Sequence, residues 1–294
     1  MSTPLALDDL AIVFLAQNEA RNLQQTVPAA GAWGVPVFVI DGGSTDETHE
    51  VCAASGAIVL RRPFDHWASQ RNWALGHPAI RQRWILFLDA DEQVTPGLRG
   101  GVARALALGN CNGWYVNRRF WFLGRPIRHC GLAPNWVLRL VRREAAHWEP
   151  DGMREFAVVE GDVGHIEGHV EHRDHRGVLF WTAKHAWLAG MESLRSDRQP
   201  VDRAQHRESS FKRMVRRRLF PALPPSVPAV ALFLYRYIVK LGFLDGHAGF
   251  AYCMMRELWF PVLVADVRGE RAEGVVVSPA QVERLREMAF GTGW

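Results

Sequence analysis

Two carboxylates one residue apart, Asp89 and Asp91, close the apolar run W-I-L-F-L at 84–88. Such a pair suits a hard divalent cation that also holds phosphate oxygens. The run before it is too apolar to hold a charge anywhere but its end, and Glu92 follows directly. A lone D-x-D is more simply a solvated strand-end turn; this setting favours metal binding. Another acid, Asp41, closes the apolar run at 35–40 and precedes Gly42, Gly43 and Ser44. A carboxylate there can accept hydrogen bonds from a base imide or a ribose hydroxyl, or close an Asx turn. The two glycines permit close backbone approach. A third polar group, Gln17-Asn18-Glu19, follows the apolar run at 11–16. Arg71 lies in S-Q-R-N, and a guanidinium grips a diphosphate bidentately; a surface ion pair is the alternative. Neither G-x-x-x-x-G-K-[ST] nor G-x-G-x-x-G occurs, which weakens ATPase and dinucleotide readings.

These groups need strands to carry them. The runs at 11–16 and 35–40 read as buried strands, and those at 57–60 and 84–88 as a third and a fourth strand. Helices are expected at 18–27, ended by Pro28, at 45–55 with capping by Thr45-Asp46-Glu47, at 67–75 and at 96–108. Alternation of this kind predicts a largely parallel sheet flanked by helices. In such a sheet ligands bind beyond the carboxyl ends of the strands, where the three polar groups fall. The middle, with strands expected at 113–119, 136–141 and 155–159, is mixed or antiparallel. From Gly177 the pattern turns helical.

The 294 residues carry a net charge of +4 and a pI near 9.1, with four cysteines and twelve tryptophans. The cysteines form no C-x-x-C pair, so a zinc or disulfide scaffold is not expected and a reducing compartment is. The N-terminus lacks a basic n-region, so no signal peptide is expected. The surplus charge is local: residues 195–218 hold nine basic and three acidic side chains, a net of +6. An apolar stretch at 229–244 follows. Basic sequence beside apolar sequence suits adsorption to an anionic bilayer, although charge runs are usually solvated faces. No continuous apolar run approaches the roughly 20 residues of a spanning helix. His165, His169, His172 and His175 crowd one segment; a zinc cluster is one reading, exposed polar residues the other. Trp114, Trp121, Phe122 and Trp136 could stack on sugar rings, or fill the core.

The chain resembles the family 2 glycosyltransferases of the GT-A fold. The resemblance rests on F-L-A-Q-N-E-A-R-N-L at 14–23, V-I-D-G-G-S-T-D-E-T at 39–48, R-P-F-D-H-W-A-S-Q-R-N at 62–72 and W-I-L-F-L-D-A-D-E at 84–92. Later segments, F-L-G-R-P-I-R-H-C-G at 122–131, N-W-V-L-R-L-V-R-R at 135–143 and G-F-L-D-G at 242–246, are similar to a bacterial branch. That branch contains lipopolysaccharide core β-1,4-glucosyltransferases. The likeness implies inverting, metal-dependent hexose transfer from a nucleotide-sugar. It puts Ala16, Asn18, Glu19, Asp41 and Ser44 at the nucleoside, Arg71 at the diphosphate, Asp89 at ribose or the metal, and Asp91 on the metal. UDP as carrier and Mg²⁺ or Mn²⁺ as metal come with it. Relatives carry a V-H-E-like stretch where this chain has Met153-Arg154-Glu155, which makes Glu155 the candidate base. An ion pair of Glu155 with Arg154 or Arg143 is its structural alternative. Relatives also carry a His–Tyr pair; here His172 is the candidate metal ligand and Arg173 stands for the Tyr.

The expected organisation is a catalytic domain at 1–175 and a mostly helical, membrane-associating region at 176–294. The implied partners are a nucleotide-sugar donor, a lipid-linked saccharide acceptor and an anionic membrane surface, with no nucleic acid; oligomeric state is open. The implied place is the cytoplasmic face of a bacterial inner membrane. A basic nucleic-acid-binding protein is the rival from another class, though no nucleic-acid motif supports it. A non-catalytic scaffold is a third reading, kept alive by Arg154 and Arg173.

Overall fold

A computed structural model describes residues 7–151, 154–194, 223–273 and 284. The basic segment at 195–218 lies outside them, as does nearly all of the tail beyond 273. The chain divides into two compact units. The first comprises the chain up to Trp121 together with Ala133–Gly177. The second comprises Phe122–Leu132 and the chain from Val178.

The first unit is built on one large mixed sheet. The strands of the chain, all but β7 in this unit, are β1 (Leu10–Ala16), β2 (Val37–Asp41), β3 (Ile58–Arg61), β4 (Trp84–Asp89), β5 (Glu92–Val94), β6 (Gly113–Phe122), β7 (Arg125–Pro126), β8 (Trp136–Arg142), β9 (Ala146–Asp151), β10 (Arg154–Val159) and β11 (Val163–His172). The sheet order is β3-β2-β1-β4-β8-β6-β11-β5, and β9 and β10 form a separate antiparallel pair. The first four are parallel, as the apolar runs predict. β8 is antiparallel to both β4 and β6. The helices are α1 (Ala20–Gly31), α2 (Thr48–Ala54), α3 (Trp67–Gly76) and α4 (Pro96–Leu108). Alternate side chains of β1 and β4 point to opposite sides. Leu10, Ile12, Phe14, Leu86 and Leu88 enter one core cluster; Ala11, Val13, Ile85 and Phe87 enter the other. Sheet faces covered on both sides explain why these strands read as unbroken apolar runs. Each fully buried aliphatic or aromatic side chain here contributes about 1.5–3 kcal/mol of burial.

Two sequence expectations change. Pro28 does not end α1, which continues to Gly31 with Pro28 inside it. A proline removes one backbone donor, and the turn beyond still closes through Ala32 N–H to Pro28 O (3.1 Å). α2 starts at Thr48, because Asp46 accepts from the Thr48 N–H (3.1 Å) and fixes the cap there.

The strand β11 was not foreseen, and it matters most to the site. Its ladder with β6 shifts register between His165 and His169. Gly168 sits at that shift with φ +96°, and a Cβ there would lie 2.6 Å from the backbone of Leu98. On the facing helix α4, a Cβ at Gly101 would lie 2.0 Å from Glu167 O. Two glycines therefore let helix and bulge touch. After the bulge β11 pairs with β5, and His172 falls opposite Glu92, one residue from Asp91.

The second unit is helical: the chain of α5 (Gly177–Leu194) beyond its first residue, α6 (Ser226–Leu234), α7 (Gly246–Cys253) and α8 (Phe260–Ala272). A π-helical stretch, Tyr235–Val239, prolongs α6, and another, Met254–Trp259, joins α7 to α8.

Candidate active site

The ends of β1 and β2 are stitched together by the polar groups that follow them. Ala16 O accepts from Gly42 N–H (2.8 Å). Asn18, at φ +53°, donates its N–H to Ser44 Oγ (2.9 Å), and its Oδ1 accepts from Thr45 N–H (2.8 Å). The N–H groups of Glu19 and Ala20 reach Thr48 Oγ1 (3.0 Å) and Asp46 Oδ2 (3.1 Å). The exposed backbone donors of one strand end are thus satisfied by side chains of the next.

Asp41 is 1% exposed. Its carboxylate accepts from Ser44 Oγ, from the Ser44 N–H (3.1 Å) and from His49 Nε2 (2.8 Å). Burial raises its pKa, but the Ser44 and His49 hydrogen bonds outweigh that and hold it below the usual value. Arg61 Nη2 donates to His49 Nδ1 (2.7 Å), so Nε2 carries the imidazole proton toward Asp41. Asp41, Ser44, His49, Arg61 and Arg62 line a cleft of about 390 Å³. Its acidic floor and paired arginine wall are suited to a polar ring and its phosphates.

Beyond β4 lies a buried network of charge. Arg71 of α3, 1% exposed, donates from Nη2 to Asp89 Oδ1 (2.8 Å) and from Nε to Glu155 Oε1 (2.5 Å). Arg139 of β8 donates from Nη2 to Asp89 Oδ2 and to Glu92 Oε1 (2.6 Å). Glu92 is fully buried, and its Oε2 accepts the Asp89 N–H (3.1 Å). Enclosure pushes the Asp89 carboxyl up, yet Arg139 and Arg71 hold it well below the usual carboxylate range. Burial lowers and Asp89 with Glu92 raise the Arg139 pKa; the net shift is upward. Both partners stay charged. Arg71 is held rigidly, because Asn72 exchanges hydrogen bonds with the Trp148 backbone (2.8 and 2.7 Å). That exchange pins α3 under the β9–β10 hairpin that carries Glu155.

Glu155 pairs with Arg71. The alternative partner Arg143 turns elsewhere, to the carbonyls of Ile80 and His77. The side chain of Arg154 lies outside what is described. Glu155 Oε2 is buried and, among the described residues, takes no hydrogen bond. One oxygen of the carboxylate is fixed; the other is left to accept.

Asp91 Oδ2 lies 3.1 Å from His172 Nε2. Phe120 flanks the His172 ring, centroids 5.3 Å apart, and His172 Nδ1 is buried with no partner among the described residues. An imidazole and a carboxylate converging in this way fit a divalent cation that takes its other ligands from water and phosphate. Among the described residues no three His, Cys, Asp or Glu side chains form a group that could hold a metal ion by themselves. The other histidines do not join the Asp91–His172 pair. His165 stacks on Tyr115 (5.1 Å), His169 Nε2 meets Glu171 Oε1 (2.9 Å), and His175 donates its N–H to Asn22 Oδ1 (2.8 Å). His169 and His175 are half-buried, not exposed as expected.

Residues that sequence reasoning missed close the site. Arg176 binds Asp174 through two nitrogens (2.8 and 2.7 Å) and Glu19 through a third (2.9 Å). This ties the chain after β11 to the start of α1. Arg139 gave one signal, a lone cation inside the apolar V-L-R-L-V. Of the aromatic candidates, Trp114 belongs to the core. Trp121 hydrogen-bonds Glu171 beneath the Arg173 guanidinium (5.1 Å), and Trp136 is 39% exposed.

Residues 11–154, which carry the groups above except Glu155, β11 and the residues after it, match glycosyl transferase family 2. This segment is similar to the glycosyl transferase family 2 domain. Curated relatives include two uncharacterised glycosyltransferases. The one from Rickettsia bellii is 26% identical over 101 residues, 34% of each chain. The one from Rickettsia felis is 25% identical over 104 residues, 35% of this chain and 36% of that one. The chain spans about a third of the length of the curated relatives it matches. Among solved structures it is similar to glucosyl-3-phosphoglycerate synthase from Mycobacterium tuberculosis. The complex with Mn²⁺, UDP and glucosyl-3-phosphoglycerate gives a TM-score of 0.40 at 16% identity, covering 56% of this chain and 72% of that one. The phosphoglyceric acid complex gives 0.42 at 18%, covering 62% and 75%. The mixed α/β sheet flanked by helices is of the GT-A type.

Proposed function

We propose that the protein transfers a hexose, glucose first among candidates, from a UDP-sugar to a lipid-linked or lipopolysaccharide-core saccharide, with inversion. The observation that carries this is the Asp91–His172 pair at the carboxyl edge of a sheet whose β2 end opens on the Asp41 cleft. The cleft takes the nucleoside, with Ser44 in its wall; Ala16, Asn18 and Glu19 stand at the β1 end tied to that wall by hydrogen bonds. Asp91 and His172 hold a divalent cation, Mg²⁺ or Mn²⁺, and Asp89 stands beside it. When bound, that cation neutralises the departing diphosphate as a Lewis acid. Glu155 receives the acceptor hydroxyl proton on Oε2, since a single displacement needs a base on the attacking side. Arg71, assigned to the diphosphate by the resemblance, is instead buried and keeps Glu155 and Asp89 aligned. The inner face of a bacterial inner membrane is the proposed place of work, because the acceptor is amphiphilic and the chain carries a basic segment next to apolar sequence.

A thermal-shift panel of UDP-glucose, UDP-galactose, UDP-N-acetylglucosamine and GDP-mannose, each with Mn²⁺ or EDTA, tests the donor. A ligand at 100 times its Kd adds about 2.7 kcal/mol, a rise of several degrees. The expected result is a Mn²⁺-dependent shift with UDP-sugars only. A shift with GDP-mannose alone, or with none, overturns the reading.

A further inference from the structure

The helix Ser226–Val239 is amphipathic the wrong way round. Its outward positions, Val227, Val230, Ala231, Leu234, Tyr235, Ile238 and Val239, recur at the three- and four-residue steps that make one helical face, and every one is exposed. No charge or amide interrupts that stripe. The charged residue of the helix, Arg236, turns inward, to Glu257 Oε1 (3.0 Å) and Cys130 O (2.8 Å). At the end of the helix the chain bends by 72°, where Leu241 adopts φ +56°. Leu241, Phe243 and Leu244 are exposed at the bend. Of the 18 exposed large apolar residues described, 11 lie between Leu223 and Phe250. A soluble monomer rarely shows so contiguous an apolar surface.

We propose that this stripe, with the bend at 241–244, is a membrane-inserting surface that lies in the headgroup–acyl boundary of an anionic bilayer. Three observations choose lipid as the occupant. A charge turned inward and half-buried, with an apolar stripe facing outward, is the pattern a lipid environment selects. The sequence at 195–218, which feeds into this helix, carries a net of +6, the complement of an anionic leaflet. The helix is too short to cross. Its 14 residues reach roughly 21 Å at 1.5 Å per residue, against about 30 Å of hydrocarbon, and no single described helix is long and apolar enough to span. The bent pair Ser226–Val239 and Gly242–Glu270 together has the length and composition of a broken or re-entrant span; the exposed apolar stripe along one face of the first helix favours insertion in the plane of the interface.

The bend also grips a loop. Asp245, whose side chain is 4% exposed, accepts from the Arg128 and His129 N–H groups (3.2 and 2.8 Å) and from His129 Nδ1 (2.9 Å). Cys130 N–H donates to Lys240 O (3.0 Å). The loop so held leaves β6 and returns to β8, the strand that bears Arg139. The inference deepens the lipid-linked acceptor reading and rests on it for its purpose; vesicle binding itself is measured without donor or acceptor.

The test is flotation of the full chain with phosphatidylcholine vesicles holding 30% phosphatidylglycerol, and with phosphatidylcholine alone. The wild type should float with the anionic vesicles and keep part of that binding in 0.5 M NaCl. The Leu234→Asp/Ile238→Asp variant should lose at least tenfold in partitioning while keeping its UDP-sugar thermal shift. Leu234→Ser/Ile238→Ser serves if the first variant does not fold. Failure of the wild type to float, or unchanged flotation of the variants, overturns the inference. So does complete release by salt, which would leave charge alone as the cause. A stable dimer that the variants dissolve, seen by light scattering, would assign the face to a second copy instead. Loss of the UDP-sugar shift in the wild type counts against the donor reading and leaves the vesicle result standing.

Discussion

Glu155→Gln should lower kcat by roughly 10²–10⁴-fold, the range a positioned general base contributes, with little change in the KM for the donor. The substitution is nearly isosteric. The amide oxygen can still accept from Arg71 Nε, so the hairpin keeps its tie to α3. What is removed is the basicity of Oε2, the buried oxygen that no described residue occupies. Single-turnover kinetics with a saturating donor separate the two roles open to this residue. If Glu155 only neutralised Arg71, the variant would melt earlier and turn over normally. Near-wild-type kcat would move the base elsewhere.

Arg139→Met should destabilise the protein by about 3 kcal/mol, the lower end for removing one partner of a buried ion pair. For a chain of this size that is roughly 6–12 °C in Tm. The low end applies because neither acid is left alone: Asp89 keeps Arg71 at 2.8 Å, and Glu92 keeps Arg118 at 3.5 Å. Methionine fills the space of the stem, so the loss reports on charge and not on a cavity. Adding Glu92→Gln should recover part of the loss by removing a buried carboxylate that Arg118, at 3.5 Å, compensates only in part. Calorimetry of the single and double variants decides it. An unchanged Tm for Arg139→Met would show that the network carries no net stability.

The strand-end acids were legible because of elementary constraint. A charge adjoining an apolar strand buried on both faces can sit only at its end, so Asp41 and Asp89 had to emerge at one edge of the sheet. The helix bearing Arg71 was legible too, and its partners were not. Arg71 faces Asp89 and Glu155 because Asn72 locks α3 to Trp148, 76 residues away, and no local pattern encodes that. His172 entered through resemblance alone. Its position depends on the Gly168 bulge and on pairing with β5, a three-residue strand too short to show a period. Pro28 misled because a helix tolerates one missing donor when the turn beyond it still closes. The inverted stripe at 226–239 read only as an apolar stretch, since the sequence does not say which face is covered.

Release of UDP from UDP-glucose, followed at rising Mn²⁺ in the wild type and in Asp91→Ala, tests metal-assisted donor chemistry most directly. The wild type should release UDP only with the metal present, and EDTA should stop it. Asp91→Ala should stay folded and release none at any Mn²⁺ concentration. Release that persists in EDTA, or an Asp91→Ala protein that responds to Mn²⁺ as the wild type does, would contradict the Asp91–His172 site.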